Sequence, residues 1–335
     1  MAGVKKAANL KENQQTTKRA ISVDLKVTIK NVVFANPVLL ASGTYGLGED
    51  FVSVINKAGG FVTKGITLAP SPGNPPPRIY ELPGAILNSI GLENPGAFAF
   101  RKKIIPRLRF ACPLIVNIAG FSVEDFVTLV KIIDCERVLG FEVNVSCPNV
   151  AKGGAAFGQD PKQVSQIIKG VRRTTKKLII TKLTANFVDP AETAKAAWDE
   201  GSDAISLINT LYGLAIDAKT GKYFLGGRVG GLSGPALKPF ALFCVERVSR
   251  AVNIPIIGGG GITNATDVCE FLLAGASLVQ IGSINLINPF TVLAILEDLE
   301  EYMRNNQIKT IKDLTASVNL IGRTRSNNDT TYLSG

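Results

Sequence analysis

The stretch Asn253–Ser283, NIPIIGGGGITNATDVCEFLLAGASLVQIGS, decides the fold. It holds two short apolar runs, Ile254–Gly259 (IPIIGG) and Leu278–Ser283 (LVQIGS), separated by helical sequence. Uninterrupted, β-branched-rich runs of this length are the mark of strands buried on both faces. Each runs into glycine: Gly258–Gly261 follow the first and Gly282-Ser283 close the second, and helical sequence comes next in both cases. Glycine lets backbone N–H groups approach an anion closely, and a helix N-terminus adds favourable dipole there. A tight turn accounts for one glycine, not for four in a row. A phosphate-bearing ligand is therefore expected at this end of the strands.

Six more runs of the same kind lie upstream: Pro37–Ser42 (PVLLAS), Gly60–Ile66 (GFVTKGI), Leu114–Ala119 (LIVNIA), Phe141–Ser146 (FEVNVS), Leu178–Leu183 (LIITKL) and Ala204–Asn209 (AISLIN). Helical signals alternate with them. Asp160-Pro161 supplies an N-cap and first-turn proline, followed by the stripe Val164, Ile167, Ile168, Val171; Asp189-Pro190 does the same ahead of Ala194, Ala197 and Trp198. Eight such units predict an α/β fold, a (β/α)8 TIM barrel. An open doubly wound sheet would use fewer strands and place its Gly-rich turn after the first one. Two connections, 67–113 and 210–235, exceed ordinary barrel loops; the second reads as a hairpin turning at Lys219–Gly221. Long ordered insertions of this kind build active sites at the C-terminal face. The organisation expected is a basic tail over 1–24, a barrel over 25–315 and a polar tail over 316–335.

Composition removes much chemistry. The 335 residues include 37 Lys+Arg, 27 Asp+Glu, 33 Gly, five Cys and no His. Without histidine, Ser-His-Asp and Cys-His nucleophiles and His-ligated zinc are excluded, and proton transfer falls to Cys, Lys, Tyr, Asp or Glu. The five cysteines contain no C-x-x-C pair, which speaks against a disulfide framework or an iron–sulfur site and for a reducing, cytoplasmic setting. No apolar stretch reaches the ~20 residues of a membrane helix. Of the net charge of +10, a share of +4 comes from residues 1–20, and the rest is dispersed without interleaved aromatics, so neither nucleic acid nor membrane is an expected partner.

In a barrel, chemistry gathers at the C-terminal strand ends. Those ends carry Ser42, Lys64, Asn117, Asn144 to Cys147, Lys182 and Asn209. Such polar groups closing apolar strands ask for a polar ligand. Cys147 precedes a Gly-rich segment containing Gly153, Gly154 and Gly158, the place for a base or nucleophile beneath a closing loop. Cys112, Cys135, Cys244 and Cys269 sit in apolar or helical context and read as small buried hydrophobes. Lys64 and Lys182 need an anion or an electron-rich ligand; an aldolase-type Schiff base is the rival reading.

Taken together, ASGTYG (41–46), TKGIT (63–67), LNSIGLENPG (87–96), NVSCPN with GGAAFG (144–158), LINT (207–210) and GGLSGPA (230–236) resemble the dihydroorotate dehydrogenases. The likeness runs from about Val27 to Leu314 and is greatest to the catalytic subunits of the soluble NAD-linked class (class 1B). It implies FMN as cofactor. Gly260, Gly261, Gly282 and Ser283 would hold its phosphate, and Ser42, Lys64, Gly65, Asn117, Asn144, Lys182, Ile208 and Gly234 would line ring and ribityl chain. Substrate would meet Lys64, Asn88, Ser89, Ile90, Gly91, Leu92, Asn144, Asn209 and Thr210. Cys147 would be the general base; the soluble classes carry Cys there and the membrane-bound class Ser. The resemblance implies no metal in this chain. It further implies a homodimer at the core of a heterotetramer, with FAD and [2Fe-2S] in a separate electron-transfer subunit. KLTAN (182–186) departs from the family in lacking a proline after the lysine, and the basic N-terminal tail is additional. The alternatives are a fumarate-linked soluble enzyme, another FMN barrel such as a tRNA dihydrouridine synthase, and a non-redox phosphate-binding barrel.

Overall fold

The computed structural model describes residues 21–145 and 158–317. The strands are β1 (Val27–Ile29), β2 (Val32–Phe34), β3 (Val38–Leu40), β4 (Gly60–Val62), β5 (Ile79–Leu82), β6 (Ala85–Asn88), β7 (Leu114–Ile118), β8 (Gly140–Asn144), β9 (Leu178–Lys182), β10 (Ala204–Leu207), β11 (Leu211–Gly213), β12 (Gly230–Ser233), β13 (Ile256–Gly259) and β14 (Leu278–Ile281). The helices are α1 (Val52–Ile55), α2 (Ala97–Ala99), α3 (Val123–Ile133), α4 (Pro161–Thr174), α5 (Pro190–Asp199), α6 (Lys238–Ala251), α7 (Ala265–Leu273), α8 (Ile284–Ile287), α9 (Thr291–Asn305) and α10 (Ile311–Ser317).

Eight strands close a barrel in the order β3-β4-β7-β8-β9-β10-β13-β14, every neighbouring pair parallel. They are the eight runs read from the sequence. The two Asp-Pro helix starts also form as expected. The Asp160 side chain accepts from Lys162 N at the head of α4, and Asp189 accepts from Ala191 N at the head of α5. Val164, Ile167, Ile168 and Val171 are the buried face of α4.

Side chains alternate along each strand, so the interior is built in layers. Leu39, Val62, Ile115, Leu178, Ile180, Ala204, Ile257 and Leu278 make one apolar cluster, joined by Ile29, Val32 and Phe34 of the β1–β2 hairpin. The hairpin thus plugs the N-terminal mouth, and Lys30 Nζ ties it down through Asp203 Oδ2 at 3.1 Å and Lys177 O. One step toward the C-terminal ends the layer turns polar, with Asn117, Glu142, Lys182, Ser206 and Gln280. That change sets where ligand chemistry is possible.

The two long connections do more than extend loops. They pair with each other in a four-stranded antiparallel sheet, β11-β12-β6-β5, with Gly231 opposite Asn88 and Leu232 opposite Leu87. Residues 214–224 turn back where expected, with Ile216 bridged to Tyr223 and Asp217 accepting from Gly221 N. No helix among the described residues is long and apolar enough to cross a membrane.

Candidate active site

A cavity lies between the barrel's C-terminal ends and this sheet. Its floor and one wall are Ser42, Lys182, Ile208, Asn209, Thr210, Gly260, Gly261, Gln280, Gly282 and Ser283. Its roof is Ile79, Ile86, Asn88, Ile90, Leu232, Ser233 and Gly234. Most residues expected at the site on sequence therefore meet in one place. Lys64, Gly65, Asn117 and Asn144 lie outside its lining; Gly91 and Leu92 line a neighbouring cleft with Thr67, Leu68, Ser71, Ala119, Phe121 and Asp125. Ser89 is buried and spent structurally, its hydroxyl accepting from Asn74 Nδ2 at 2.8 Å and its N–H bonding Arg78 O. Cys147 lies outside the described residues.

The glycine-rich end has a built geometry. Gly260 and Gly261 adopt φ of +127° and +82°, and a Cβ on Gly261 would stand 2.8 Å from Lys238 N and 3.0 Å from Gly234 O. Gly282 differs. Among the described residues a Cβ there would meet only Ala41 Cβ, at 3.6 Å, so its missing side chain is required by no neighbour among them and leaves open cavity instead. The expectation that both following helices would offer their N-termini needs correction. The α7 N-terminus is closed by its own capping box, in which Asn264 accepts from Asp267 N and Asp267 accepts back. The α8 N-terminus after Gly282-Ser283 carries no side-chain cap.

The polar layer centres on Glu142, which is fully buried. Its Oε1 accepts from Asn117 Nδ2 at 2.7 Å and lies 3.6 Å from Lys182 Nζ; its Oε2 accepts from Ser206 Oγ at 3.0 Å and Gln280 Nε2 at 2.5 Å. Asn117 Oδ1, at the far end of that amide, is buried without a hydrogen-bond partner among the described residues. It faces Gly65, where a Cβ would be 3.1 Å away. Buried acceptors are satisfied in native proteins, so this atom is an exception within the layer; Asn117 and Gly65 lie outside the lining of the cavity. Asn144, opposite Lys182 in register, accepts from Asn209 Nδ2 at 3.3 Å.

Both lysines already have carboxylates at hand. Lys182 has Glu142, and Lys64 Nζ lies 3.6 Å from Glu93 Oε2, which also pairs with Arg78. Glu142 and Gln280 were missed as site residues, although the signal was present: a Glu in FEVNVS and a Gln in LVQIGS interrupt strands that should be apolar throughout. Burial pushes the thiols of Cys112 and Cys244 up to about 12 and that of Cys269 to about 11, as their apolar settings lead one to expect.

Residues 24–303 match the family model for dihydroorotate dehydrogenase. The chain belongs to the dihydroorotate dehydrogenase family. Among curated relatives, the dihydroorotate dehydrogenase B (NAD(+)) catalytic subunit of Thermoanaerobacter pseudethanolicus is 46% identical over 299 residues, covering 88% of this chain and 99% of that one. The subunit of the same name from Pelobacter propionicus is 47% identical, over 88% and 98%. That from Bacteroides fragilis is 43% identical, over 88% and 99%. A crystal structure of the Eimeria tenella dihydroorotate dehydrogenase in complex with ferulenol superimposes with a TM-score of 0.75 at 24% identity, covering 89% of each chain. That likeness carries the barrel fold.

Proposed function

We propose that this chain oxidises dihydroorotate to orotate in pyrimidine biosynthesis, with FMN held in the cavity under the four-stranded sheet and Cys147 as the base. The observation that carries the reading is the cavity itself, floored by Lys182 and Gln280, roofed by the four-stranded sheet and ended by Gly260, Gly261, Gly282 and Ser283. An oxidised isoalloxazine ring offers one N–H donor, at N3, and several acceptors along its pyrimidine edge, which suit the polar groups at the floor. The open space at Gly282 and the close backbone at Gly260 and Gly261 suit an anionic phosphate, and Ile86, Ile90, Ile208 and Leu232 give apolar walls for a flat ring.

When bound, FMN supplies the acceptor for a hydride. Ser42, Gly65, Asn117, Lys182 and Gly234 would hold the ring and ribityl chain, and Gly260, Gly261, Gly282 and Ser283 would hold the phosphate. Asn88, Asn144, Asn209 and Thr210, with Lys64 and Ile90, would orient the substrate's carboxylate and ring amides. Cys147 as thiolate takes the proton from C5 while hydride leaves C6, and the C5=C6 double bond of orotate forms between them. With no histidine in the chain, a thiol of modestly lowered pKa is the side chain that performs this near neutral pH. The relatives' names, with NAD(+) and catalytic subunit in them, support NAD as the final acceptor and a separate partner subunit; a cytoplasmic homodimer joined to an electron-transfer subunit carrying FAD and [2Fe-2S] completes the proposal.

The test is the visible spectrum of the purified protein before and after anaerobic addition of dihydroorotate. A flavin spectrum that bleaches is the expected result. A flavin that stays oxidised would move the reading to another FMN barrel. A colourless protein that takes up no added FMN would favour a non-redox phosphate-binding barrel.

A further inference from the structure

Glu142 has no solvent exposure, yet donors from four strands converge on it: Asn117 from β7, Lys182 from β9, Ser206 from β10 and Gln280 from β14. A carboxylate accepts hydrogen bonds and donates none. Asn117 and Gln280 must therefore each turn an NH2 toward it, which directs their carbonyl oxygens the other way. For Asn117 the consequence is visible, because its Oδ1 is the buried acceptor left without a donor. For Lys182, at the cavity floor, the consequence is electrostatic: a negative charge stands 3.6 Å from its ammonium on the side away from solvent.

We propose that Glu142 is a positioning residue for the flavin, holding Lys182 at the cavity floor and offsetting its positive charge, so that the bound cofactor keeps a low reduction potential. The proposal rests on the FMN reading above. Taking up two electrons and one proton leaves the neutral oxidised ring with one negative charge. Lys182 favours that charge and Glu142 opposes it. Uncompensated, the ammonium would hold reduced FMN too tightly to pass electrons on.

The experiment is a spectroscopic redox titration of the FMN-loaded protein against a reference dye, comparing wild type with Glu142→Gln and Glu142→Asp. Glu142→Gln should bind reduced over oxidised FMN at least tenfold more strongly than wild type does, which for a two-electron couple raises the potential by about 30 mV. Glu142→Asp, with the charge kept but drawn back, should shift less in the same direction. If Glu142→Gln fails to fold, the Asp variant decides alone. A variant that loses thermal stability while its potential stays at the wild-type value would overturn the proposal, since a purely structural carboxylate predicts that outcome. Wild-type protein that binds no FMN would instead overturn the reading on which the proposal stands.

Discussion

Lys238 Nζ lies 2.6 Å from Asp267 Oδ1, joining the first residue of α6 to the first turn of α7 behind Gly261. The other carboxylate oxygen, Oδ2, accepts from Thr263 N at 2.7 Å and Thr263 Oγ1 at 2.8 Å. One buried side chain thus clamps the strand-end loop Gly258–Thr263 from behind.

Asp267→Asn should cost about 2–3 kcal/mol in urea unfolding at pH 7, because one of its two oxygen positions becomes a donor facing a donor. Burial works against ionisation of Asp267, but hydrogen bonds from Lys238 and Thr263 outweigh it and hold the carboxyl below its usual value of 3.8. The sign follows. Its contribution is fully present above that ordinary value and is lost as pH falls from there through the lower value in the fold. The Asn variant should therefore lose less stability than wild type between pH 5 and pH 3, each measured as the urea midpoint.

Gly261→Ala and Gly282→Ala should separate fold from ligand. The first places a Cβ against backbone at φ +82° and should destabilise the ligand-free protein by about 1–3 kcal/mol. The second meets only Ala41 Cβ, so the melting temperature of the ligand-free protein should stay near wild type while FMN retention falls at least tenfold. Differential scanning fluorimetry and FMN titration measure the two quantities. Equal FMN affinity in Gly282→Ala would remove that glycine from the phosphate site.

Cys147→Ala should remain yellow and lose flavin bleaching by dihydroorotate at neutral pH, followed by anaerobic stopped-flow absorbance. If Cys147 is the base, slow bleaching should return as the pH is raised and hydroxide substitutes for the thiolate. Wild-type rates in the variant at pH 7 would end that assignment.

Iodoacetamide at pH 7.5 should leave Cys112, Cys244 and Cys269 unmodified in the folded protein, since burial both shields them and raises their thiols to about 11–12. Peptide mass spectrometry with and without urea checks this. Rapid labelling of Cys244 without denaturant would show that α6 opens.

The barrel was legible because strands buried on both faces must be apolar without a break, and Ile254–Gly259 or Leu178–Leu183 leave no helical alternative of that length. Glu142 and Gln280 were hidden by the same rule: a single polar residue in such a run looks like tolerated noise until five strands are seen to bring their polar residues to one level. The β1–β2 hairpin escaped for a local reason. Its turn puts Lys30 at φ +55°, where a reader looks for Gly or Asn, and its strands are three residues each. The pairing of Gly231 with Asn88 joins residues 143 apart, and nothing in either insertion announces the other. Among the strand-end residues, Lys64 and Lys182 each need an anion, and the structure supplies a protein carboxylate to both.

The pairing of β6 with β12 bears on how such a barrel can be rebuilt. β6 and β12 come from different connections, yet each completes the other's hydrogen bonding above the cavity. Grafting one connection from a relative would leave a bare sheet edge over the site, whereas moving both transfers the whole ceiling. For recombination, by nature or by an engineer, residues 67–113 and 210–235 behave as one module in two pieces, and substrate range would be exchanged with the pair rather than with either loop.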